Sequence, residues 1–349
     1  MRDEAPNVGS SVKKHEGRGA DAPVSLRLLI TGATGYLGRE LVRQCLIAGH
    51  HLTLVVRNAA ACPIEWEIDQ RIEIIEGDLV EMKAVPQSDV VLHLAASLAG
   101  DAATQQRDTV EASRSLLIAA LRTETPPGFV LASSMAVYGA MGLRPGDVVD
   151  ETTPLEDAAH LRDTYCRAKL GQELLFSTAA SDAGLPLQVL RIGAIWGPGR
   201  LWNAHLGIGL GPALLRLEAA GDVPLAHLRH AAQALRLAAE AAGRGESAVV
   251  NVVDSDLPSR AQYLAAHRKT GWPRLTLPLP WRWLEIVARL TGSRLRPGLL
   301  KTPTLRYRML PLRYDNAALR RMGWQPKAGF DDLMEEALQA TPPQEAPRG

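Results

Sequence analysis

Tyr165 and Lys169 lie four residues apart in a segment, 162–180, whose apolar residues recur at helical intervals. On a helix this spacing places both side chains on the same face. A free tyrosine has a pKa of about 10, too high for easy proton exchange at neutral pH, and a nearby ammonium favours the phenolate. The pair is therefore a candidate general acid/base. The plainer alternative is a surface pair on an ordinary helix, because this spacing is common by chance.

A second candidate site is the glycine-rich segment 31–38, which reads Thr-Gly-Ala-Thr-Gly-Tyr-Leu-Gly. It follows a short predicted strand, 27–31, and opens a predicted helix, 36–48. Glycine permits a tight turn and a close approach of the backbone to phosphate, while the helix N-terminus offers N–H donors and positive partial charge. A plain strand-to-helix turn would use similar residues. The place of the segment in the first strand–helix unit favours dinucleotide binding.

The end of the next predicted strand, 52–57, bears on the choice of cofactor. Arg57 lies 25 residues after Gly32, and the segment 52–63 contains no carboxylate. An acidic residue at this point binds the ribose 2′-hydroxyl of NAD, whereas an arginine favours the 2′-phosphate of NADP. The alternative is that Arg57 simply ends a strand in solvent. The sequence therefore predicts NADP as the cofactor, with NAD as the second choice.

Predicted strands and helices alternate along the chain that must position these residues. Further strands are predicted at 71–76, 89–95, 129–133, 185–195 and 247–253, and a further helix at 101–122. Helices that join buried apolar strands imply a parallel sheet covered on both faces. The predicted fold class is α/β, a doubly wound parallel sheet (Rossmann) with a smaller, mostly helical C-terminal substrate domain.

The domain boundaries follow from changes in composition. Segments 26–201 and 222–253 are assigned to the dinucleotide-binding domain. Segments 202–221 and 254–340, which are richer in Pro, Trp and Arg, are assigned to the substrate domain. Residues 1–25 have no apolar core and are expected to form a flexible extension rather than a signal peptide. Residues 341–349 are expected to form a tail.

Three further segments complete a pattern in chain order. They are Ser-Ser-Met-Ala-Val-Tyr-Gly at 133–139, Arg-Ile-Gly-Ala-Ile-Trp-Gly-Pro-Gly at 191–199, and 315–326 with its Gly-Trp pair. Together with the glycine-rich segment and the Tyr/Lys pair, they resemble the extended short-chain dehydrogenase/reductase family. Within it the resemblance is to the NAD-dependent epimerase/dehydratase group, and to hydroxysteroid dehydrogenases and dihydroflavonol reductases. It spans about 26–338 and is more specific for fold and cofactor than for substrate.

The resemblance implies a role for each site residue. Ser134 would hydrogen-bond the substrate oxygen, Tyr165 would exchange the proton, and Lys169 would tune Tyr165 and bind the nicotinamide ribose. The implied cofactor contacts lie in the glycine-rich segment, at strand ends and in the Tyr/Lys pair. They are Gly32, Thr34, Gly35, Tyr36, Leu37, Gly38, Arg57, Asp78, Leu79, Leu94, Ala95, Ala96, Tyr165, Lys169 and Gly193.

The sequence departs from the family pattern at informative positions. Thr109 aligns with an asparagine that supports the catalytic lysine through water, which puts that support in doubt. Met135 and Ala136 replace the Asp-Glu pair of dehydratases, so dehydration lacks its acid and base. A Val-Asp-Asp segment that usually precedes a late helix reads Leu-Arg-His at 228–230.

Other departures concern the substrate. Ala194 stands where nucleotide-sugar enzymes have an asparagine, and 219–225 lacks their diphosphate-binding arginine. The segments expected near the pocket offer an apolar set instead: Leu98, Met135, Trp196, Trp202 and Leu206. This set suits a ring system or alkyl chain. The alternatives are that these residues are ordinary core, or that Arg200 or Arg229 reaches a diphosphate from another direction.

Composition excludes several other classes of protein. The 349 residues are 46% hydrophobic and 22% charged, with a formal net charge of +1, which gives no electrostatic case for a nucleic-acid partner. No apolar run approaches the roughly 20 residues of a membrane span. Three scattered cysteines fit a reducing, cytoplasmic location. The nine histidines show no zinc-binding spacing, so no metal is assigned.

The sequence thus predicts an NADP-dependent oxidoreductase that interconverts a carbonyl and a secondary alcohol on a largely apolar small molecule. The first alternative is a nucleotide-sugar epimerase with a retained NAD(P). The second is a non-catalytic NADP-binding regulatory protein, against which the complete Ser/Tyr/Lys set argues. A homodimer is expected from the resemblance alone, because the fourth and fifth helices often pack between subunits in this family.

Overall fold

The computed structural model describes residues 25–97, 100–290 and 301–340. The predicted tail, Leu98, and the predicted extension apart from Ser25 lie outside these ranges. The strands are β1 Arg27–Thr31, β2 His51–Val56, β3 Ile72–Glu76, β4 Val90–His93, β5 Gly128–Ser134, β6 Val148–Val149, β7 Leu187–Ile192, β8 Ala194–Trp196, β9 Gly207–Leu210, β10 Ala213–Arg216, β11 Leu225–His227, β12 Ala248–Val252, β13 Leu275–Pro278 and β14 Arg313–Tyr314. The helices are α1 Tyr36–Ile47, α2 Ile64–Ile68, α3 Ala102–Gln105, α4 Ala112–Leu121, α5 Thr164–Ala183, α6 Leu228–Gly243, α7 Arg260–His267, α8 Trp281–Leu290, α9 Thr302–Met309, α10 Ala317–Arg321 and α11 Phe330–Gln339.

Seven parallel strands form the main sheet, in the order β12-β7-β5-β4-β1-β2-β3. Chain order reverses between β1 and β4, which makes their carboxyl ends the topological switch point of the sheet. Ligands bind at this point in doubly wound folds. The predicted Rossmann fold is confirmed.

Apolar side chains cover both faces of this sheet because successive strand residues point to opposite sides. On one face Leu28 and Ile30 pack in a cluster with α1 and α6. On the other face Leu29, Val91 and Phe129 pack in a cluster with α4 and α5. Strands buried on both faces explain the nearly continuous apolar runs in the sequence.

Two predicted elements are interrupted in the structure. The predicted strand 185–195 divides into β7 and β8 at Gly193. The predicted helix 101–122 is helical throughout, but its segment Gln106–Glu111 between α3 and α4 is a π-helix. Such segments change the direction in which neighbouring side chains point, and many occur at functional sites.

The C-terminal region packs beside the carboxyl end of the sheet. Residues 254–290 and 301–340 are mostly helical, as predicted, whereas 202–221 contains the hairpin β9–β10. Strand β13 pairs with β10 to complete a three-stranded sheet. None of the helices within the described ranges has the length and apolar character needed to cross a bilayer.

Candidate active site

The glycine-rich segment forms a tight turn between β1 and α1. Gly32 has φ +75°, and a Cβ there would lie 2.9 Å from the backbone nitrogen of Ala95. A Cβ on Gly38 would overlap the carbonyl oxygen of Gly32. Both positions therefore require glycine, and the N-terminus of α1 is left open to a ligand at the switch point.

A cavity of about 590 Å³ runs from this turn across the ends of β1, β4, β5 and β7. Every residue predicted to contact the cofactor lines it: Gly32, Thr34, Gly35, Tyr36, Leu37, Gly38, Arg57, Asp78, Leu79, Leu94, Ala95, Ala96, Tyr165, Lys169 and Gly193. The structure thus brings residues from widely separated segments of the chain to one cavity. Its volume lies within the range of small-molecule and cofactor sites.

Tyr165 lies in the first turn of α5, beside the end of β5. Asp163 begins this helix by accepting a hydrogen bond from the backbone nitrogen of Cys166 (2.9 Å). The side chain of Ser134 lies close enough to the phenol of Tyr165 to favour its ionised form, as a candidate catalytic pair requires. Burial has the larger effect and raises the pKa of Tyr165, whereas Ser134 acts in the opposite direction. The phenol is therefore protonated at neutral pH, which is the form that donates a proton.

The ammonium of Lys169 bonds groups other than the phenol, whereas the sequence predicts that it lowers the pKa of Tyr165. Its Nζ donates to the carbonyl oxygen of Ala132 (2.8 Å) and to Oε1 of Gln172 (2.9 Å). Burial lowers the pKa of Lys169 to about 8, with the Glu173 carboxylate opposing this shift. An ammonium has three N–H donors, so one is left for a ligand in the cavity.

A buried hydrogen-bond network engages both ring nitrogens of His93. Ser113 donates its proton to the carbonyl oxygen of Thr109 (2.5 Å), so its Oγ only accepts elsewhere. Its Oγ accepts from Nε2 of Gln172 (2.8 Å) and pairs with Nε2 of His93 (2.9 Å), which also lies 3.2 Å from Nε2 of Gln172. The other ring nitrogen of His93, Nδ1, pairs with the hydroxyl of Thr31 (2.7 Å).

The same network fixes the orientation of Gln172. Its Nε2 donates to Ser113 and faces the carbonyl oxygen of Ala95 (3.4 Å). A flipped amide would place its oxygen against that carbonyl. Oε1 must therefore face Lys169. Sequence reasoning missed Gln172, although its position three residues after Lys169 on the same helix was a usable signal.

Thr109 bonds the backbone after β4 rather than contacting Lys169 directly. It lies in the π-helical segment, and its Oγ1 accepts from the backbone nitrogen of Ser97 (3.0 Å). Gln172 contacts the ammonium directly instead. In the family pattern the residue that supports the lysine lies on the helix after β4. Here Gln172 of α5 contacts the lysine.

A buried ion pair holds the end of β5 against α5. Glu173 pairs with Arg191 of β7 (2.9 Å) and accepts a hydrogen bond from Ser133 (2.5 Å). Because Ser133 precedes Ser134 in the chain, this contact fixes the backbone that presents Ser134 to Tyr165. Truncating one partner of such a buried pair leaves an uncompensated charge, which is strongly destabilising.

Carboxylates and arginines alternate at the rim of the cavity. The exposed Arg57 lies 3.7 Å from Asp108, and Arg107 pairs with Asp108 (2.7 Å) and Asp78 (2.6 Å). Asp78 also accepts from the backbone nitrogen of Val80 (3.0 Å). Sequence reasoning found Arg57 but missed Asp108, which lies in a distant segment and also lines the cavity.

Arg200 and Arg229, the two arginines that the sequence offers as candidates for binding a substrate diphosphate, have different surroundings. The guanidinium of Arg200 lies over the ring of Tyr36 (4.9 Å to the centroid) and lines the cofactor cavity beside the start of α1. Arg229 pairs with Glu336 (2.5 Å). Arg200 thus faces the cofactor cradle, and Arg229 already has a carboxylate partner.

The apolar residues expected at the substrate pocket are mostly core. Met135, Trp196 and Leu206 are each 1% exposed, and Trp202 packs against the same cluster as Trp196. The indole of Trp196 donates to Asp254 (3.0 Å). The expectation that these side chains line a pocket is wrong for the three fully buried residues, because the hairpin and C-terminal helices cover them.

Replacing Gln172 by leucine should weaken cofactor binding about tenfold or more, because a hydrogen bond to a charged group is lost. It should also move the alkaline limb of the pH–rate profile to lower pH, since Lys169 loses an acceptor that favours its charged form. Gln188, a buried glutamine of β7 that donates to Glu246, gives the matched control Gln188→Leu. Equal cofactor affinities and pH profiles for the two variants would refute the role of Gln172.

Burial lowers the pKa of His93 to about 3, and the charge of Lys169 adds to this effect. The unfolded chain binds a proton on this ring near pH 6.5, whereas the folded chain does not until about pH 3. The free energy of unfolding should therefore fall as the pH drops through this window. Urea unfolding from pH 7 to 5 should show His93→Gln losing less stability than the wild type, by up to about 1.4 kcal/mol per pH unit. The exposed-site variant His51→Gln should keep the wild-type slope, and an unchanged slope in His93→Gln would contradict the expectation.

Comparison with known proteins agrees with this geometry. A sequence profile of the NAD dependent epimerase/dehydratase family matches residues 28–216, more than half of the chain. A 3-diazoavenalumate denitrifying reductase of Streptomyces sp is 29% identical over 72% of this chain and 84% of its own length. The 2'-dehydrokanamycin reductase of Streptomyces kanamyceticus is 26% identical over 74% of this chain and 71% of its own length. Several other curated relatives match over about half of their own length.

Solved structures show the same fold. The UDP-glucose 4-epimerase of Thermus thermophilus, in complex with NAD, has a TM-score of 0.65 and 19% identity over 90% of this chain and 98% of its own. Family membership rests on the sequence profile, which matches more than half of the chain. The chain belongs to the NAD dependent epimerase/dehydratase family and is an NAD(P)-dependent enzyme of the extended short-chain dehydrogenase/reductase type.

Proposed function

We propose that this chain is an NADP-dependent oxidoreductase that interconverts a ketone and a secondary alcohol on a largely apolar small molecule. One observation carries the proposal: the phenol of Tyr165 lines the cavity and has Ser134 beside it, with Lys169 on the same helix. A phenol, an orienting hydroxyl and an ammonium beside a dinucleotide-sized cavity suit carbonyl reduction.

The residues present fit a nicotinamide dinucleotide. The open N-terminus of α1 and the close approach at Gly32 suit the pyrophosphate, and Arg200 adds a cation beside it. Lys169 keeps one N–H donor for a ribose hydroxyl at the inner end of the cavity. The bound cofactor would supply the hydride.

The chain's own residues would manage the proton and the substrate oxygen. Ser134 would orient the carbonyl oxygen, and the protonated Tyr165 would donate to it as negative charge develops. Gln172 would hold the Lys169 ammonium in place. His93, neutral and oriented by Thr31, would keep Gln172 turned toward the lysine.

The preference for NADP rests on Arg57. Its guanidinium is exposed at the cavity rim and can approach a 2′-phosphate, whereas its contact with Asp108 is a long surface ion pair of little energetic value. Asp108 opposes a bound phosphate by like charge. The preference for NADP over NAD therefore depends on attraction of the 2′-phosphate by the exposed Arg57 and its repulsion by Asp108.

An apolar substrate is supported by the residues that stand where nucleotide-sugar enzymes bind a diphosphate. Ala194 offers no side-chain hydrogen bond to a diphosphate. Arg229 is paired with Glu336 and Arg200 faces the cofactor cradle, so both candidate arginines have other roles.

The first alternative is a nucleotide-sugar epimerase with a retained cofactor, since the Thermus neighbour is a UDP-glucose 4-epimerase of the same fold. Calorimetric titration with UDP- and dTDP-hexoses in the presence of NADP should show no saturable binding. NADPH should instead be consumed with apolar ketones. Micromolar affinity for either sugar nucleotide would favour the epimerase. The second alternative, a non-catalytic regulator, would bind NADP and turn over no substrate.

We also propose a cytoplasmic homodimer that packs through α4 and α5. Ile118 of α4 and Leu174 of α5 are 45% and 69% exposed, which is high for large apolar side chains on neighbouring helices. A monomer in analytical ultracentrifugation at micromolar concentration would rule this interface out.

A further inference from the structure

The three-stranded sheet of β9, β10 and β13 has one face made only of apolar residues. In its register Ala213 lies opposite both Leu210 and Leu275, and Leu215 lies opposite both Ile208 and Leu277. Residues opposite one another, and residues two apart on a strand, point to the same side. These six residues therefore share one face.

This face is open to solvent over much of its area. Leu210, Leu275 and Leu277 are 52%, 53% and 45% exposed. The opposite face is turned to the core, where Leu214 is fully buried. A sheet that buries one face normally carries polar residues on the other, so six apolar positions in two rows are unusual.

Helix α8 continues this surface. It starts three residues after β13 ends, and its first backbone nitrogen donates to Leu217, just past β10 (2.9 Å). Its inner residues Trp281 and Leu284 pack in the same cluster as Ile208, which places α8 at one end of the sheet face.

The outer face of α8 is apolar as well. Trp283, Ile286 and Val287 follow helical spacing and are 63%, 50% and 54% exposed. We call the six sheet residues and these three helix residues the apolar platform.

Positive charge borders the apolar platform. The exposed charged side chains of 268–287 are all basic: Arg268, Lys269, Arg274 and Arg282. The single carboxylate of this stretch, Glu285, is buried and pairs with Arg306 (3.5 Å). Exposed apolar side chains with tryptophan and a basic border are the features of a surface that lies in the interface of an anionic bilayer.

We propose that the apolar platform docks this enzyme onto an anionic lipid surface. Charge favours this partner over a second copy of the chain, because a symmetric contact would bring two sets of basic residues together. The proposal goes beyond the proposed reaction and stands without it.

Co-sedimentation of the full chain tests the proposal, using phosphatidylcholine vesicles with and without phosphatidylglycerol. We expect binding to vesicles that contain phosphatidylglycerol, weakened by salt, and a blue shift of tryptophan fluorescence that is lost in Trp283→Phe. The double variant Trp283→Ser/Ile286→Ser should bind about tenfold or more weakly. The variant Lys269→Ser/Arg274→Ser should bind the anionic vesicles about tenfold more weakly through loss of charge.

Matched controls distinguish docking through the apolar platform from nonspecific binding to vesicles. Ile64→Ser/Ile68→Ser removes two apolar residues of α2 that are 63% and 75% exposed, and it should leave vesicle binding unchanged. Arg320→Ser/Arg321→Ser removes two exposed basic residues of α10 and should also leave it unchanged. Failure of the wild-type chain to bind anionic vesicles would overturn the proposal. So would a dimer in solution that Trp283→Ser/Ile286→Ser dissociates, or equal loss of binding in the control variants.

Discussion

Tyr165→Phe is expected to lower turnover by about a hundredfold or more while folding and cofactor binding are retained, because only the ionisable oxygen is removed. The phenol lies beside Ser134, and burial keeps it protonated at neutral pH. The lost proton donor should appear in kcat, since the ring still fills its place on α5.

The measurement compares kcat and the dissociation constant of NADPH for Tyr165→Phe and Tyr263→Phe. Tyr263 is a matched control: its buried hydroxyl donates to the carbonyl oxygen of Leu201 (2.6 Å) in the C-terminal region, apart from the cavity. Its variant should lose stability and keep its turnover. Near-native activity in Tyr165→Phe on the true substrate would show that the catalytic assignment is wrong.

Arg57→Asp should reverse the cofactor preference from NADPH to NADH. Losing a charge-assisted contact costs roughly 1.5–3 kcal/mol, or about ten- to a hundredfold in affinity for NADPH. The new carboxylate would also repel a 2′-phosphate and accept from a ribose hydroxyl. Dissociation constants of both cofactors for the wild type and the variant give the result.

Asp108→Asn is the complementary variant, because Asp108 lies 3.7 Å from Arg57 and opposes a bound phosphate. It should bind NADPH more tightly and leave NADH affinity nearly unchanged. Equal affinities for the two cofactors in the wild-type chain, or a preference for NADH, would refute the role of Arg57.

The features predicted well from the sequence are those set by local residues. The turn at 31–38, the strand before it and the helix after it need specific glycines and an apolar run that the chain displays within a single short segment. The i, i+4 pair of Tyr165 and Lys169 needs only a helix, and α5 provides it. The order of these motifs along the chain, which is that of the family, then predicted that Ser134 lies beside Tyr165.

The features missed depend on contacts between distant segments. Asp108 approaches Arg57 only because the helix after β4 crosses the end of β2. Gln172 acquires its role through Ser113 and Ala95, which lie 59 and 77 residues away. The hairpin β9–β10 was not predicted, because glycines at 207, 209 and 211 interrupt the alternation of apolar and polar residues that indicates a strand.

The most direct test of the proposed reaction follows a hydride from cofactor to product. NADPH that carries deuterium at both C4 positions of the nicotinamide is incubated with the chain and an apolar ketone that it consumes, and the alcohol is analysed by mass spectrometry. The proposed reaction predicts one deuterium on the carbinol carbon of each product molecule, with one NADPH oxidised per alcohol formed. Product without deuterium, or a sugar nucleotide epimerised with no net oxidation of NADPH, would contradict it.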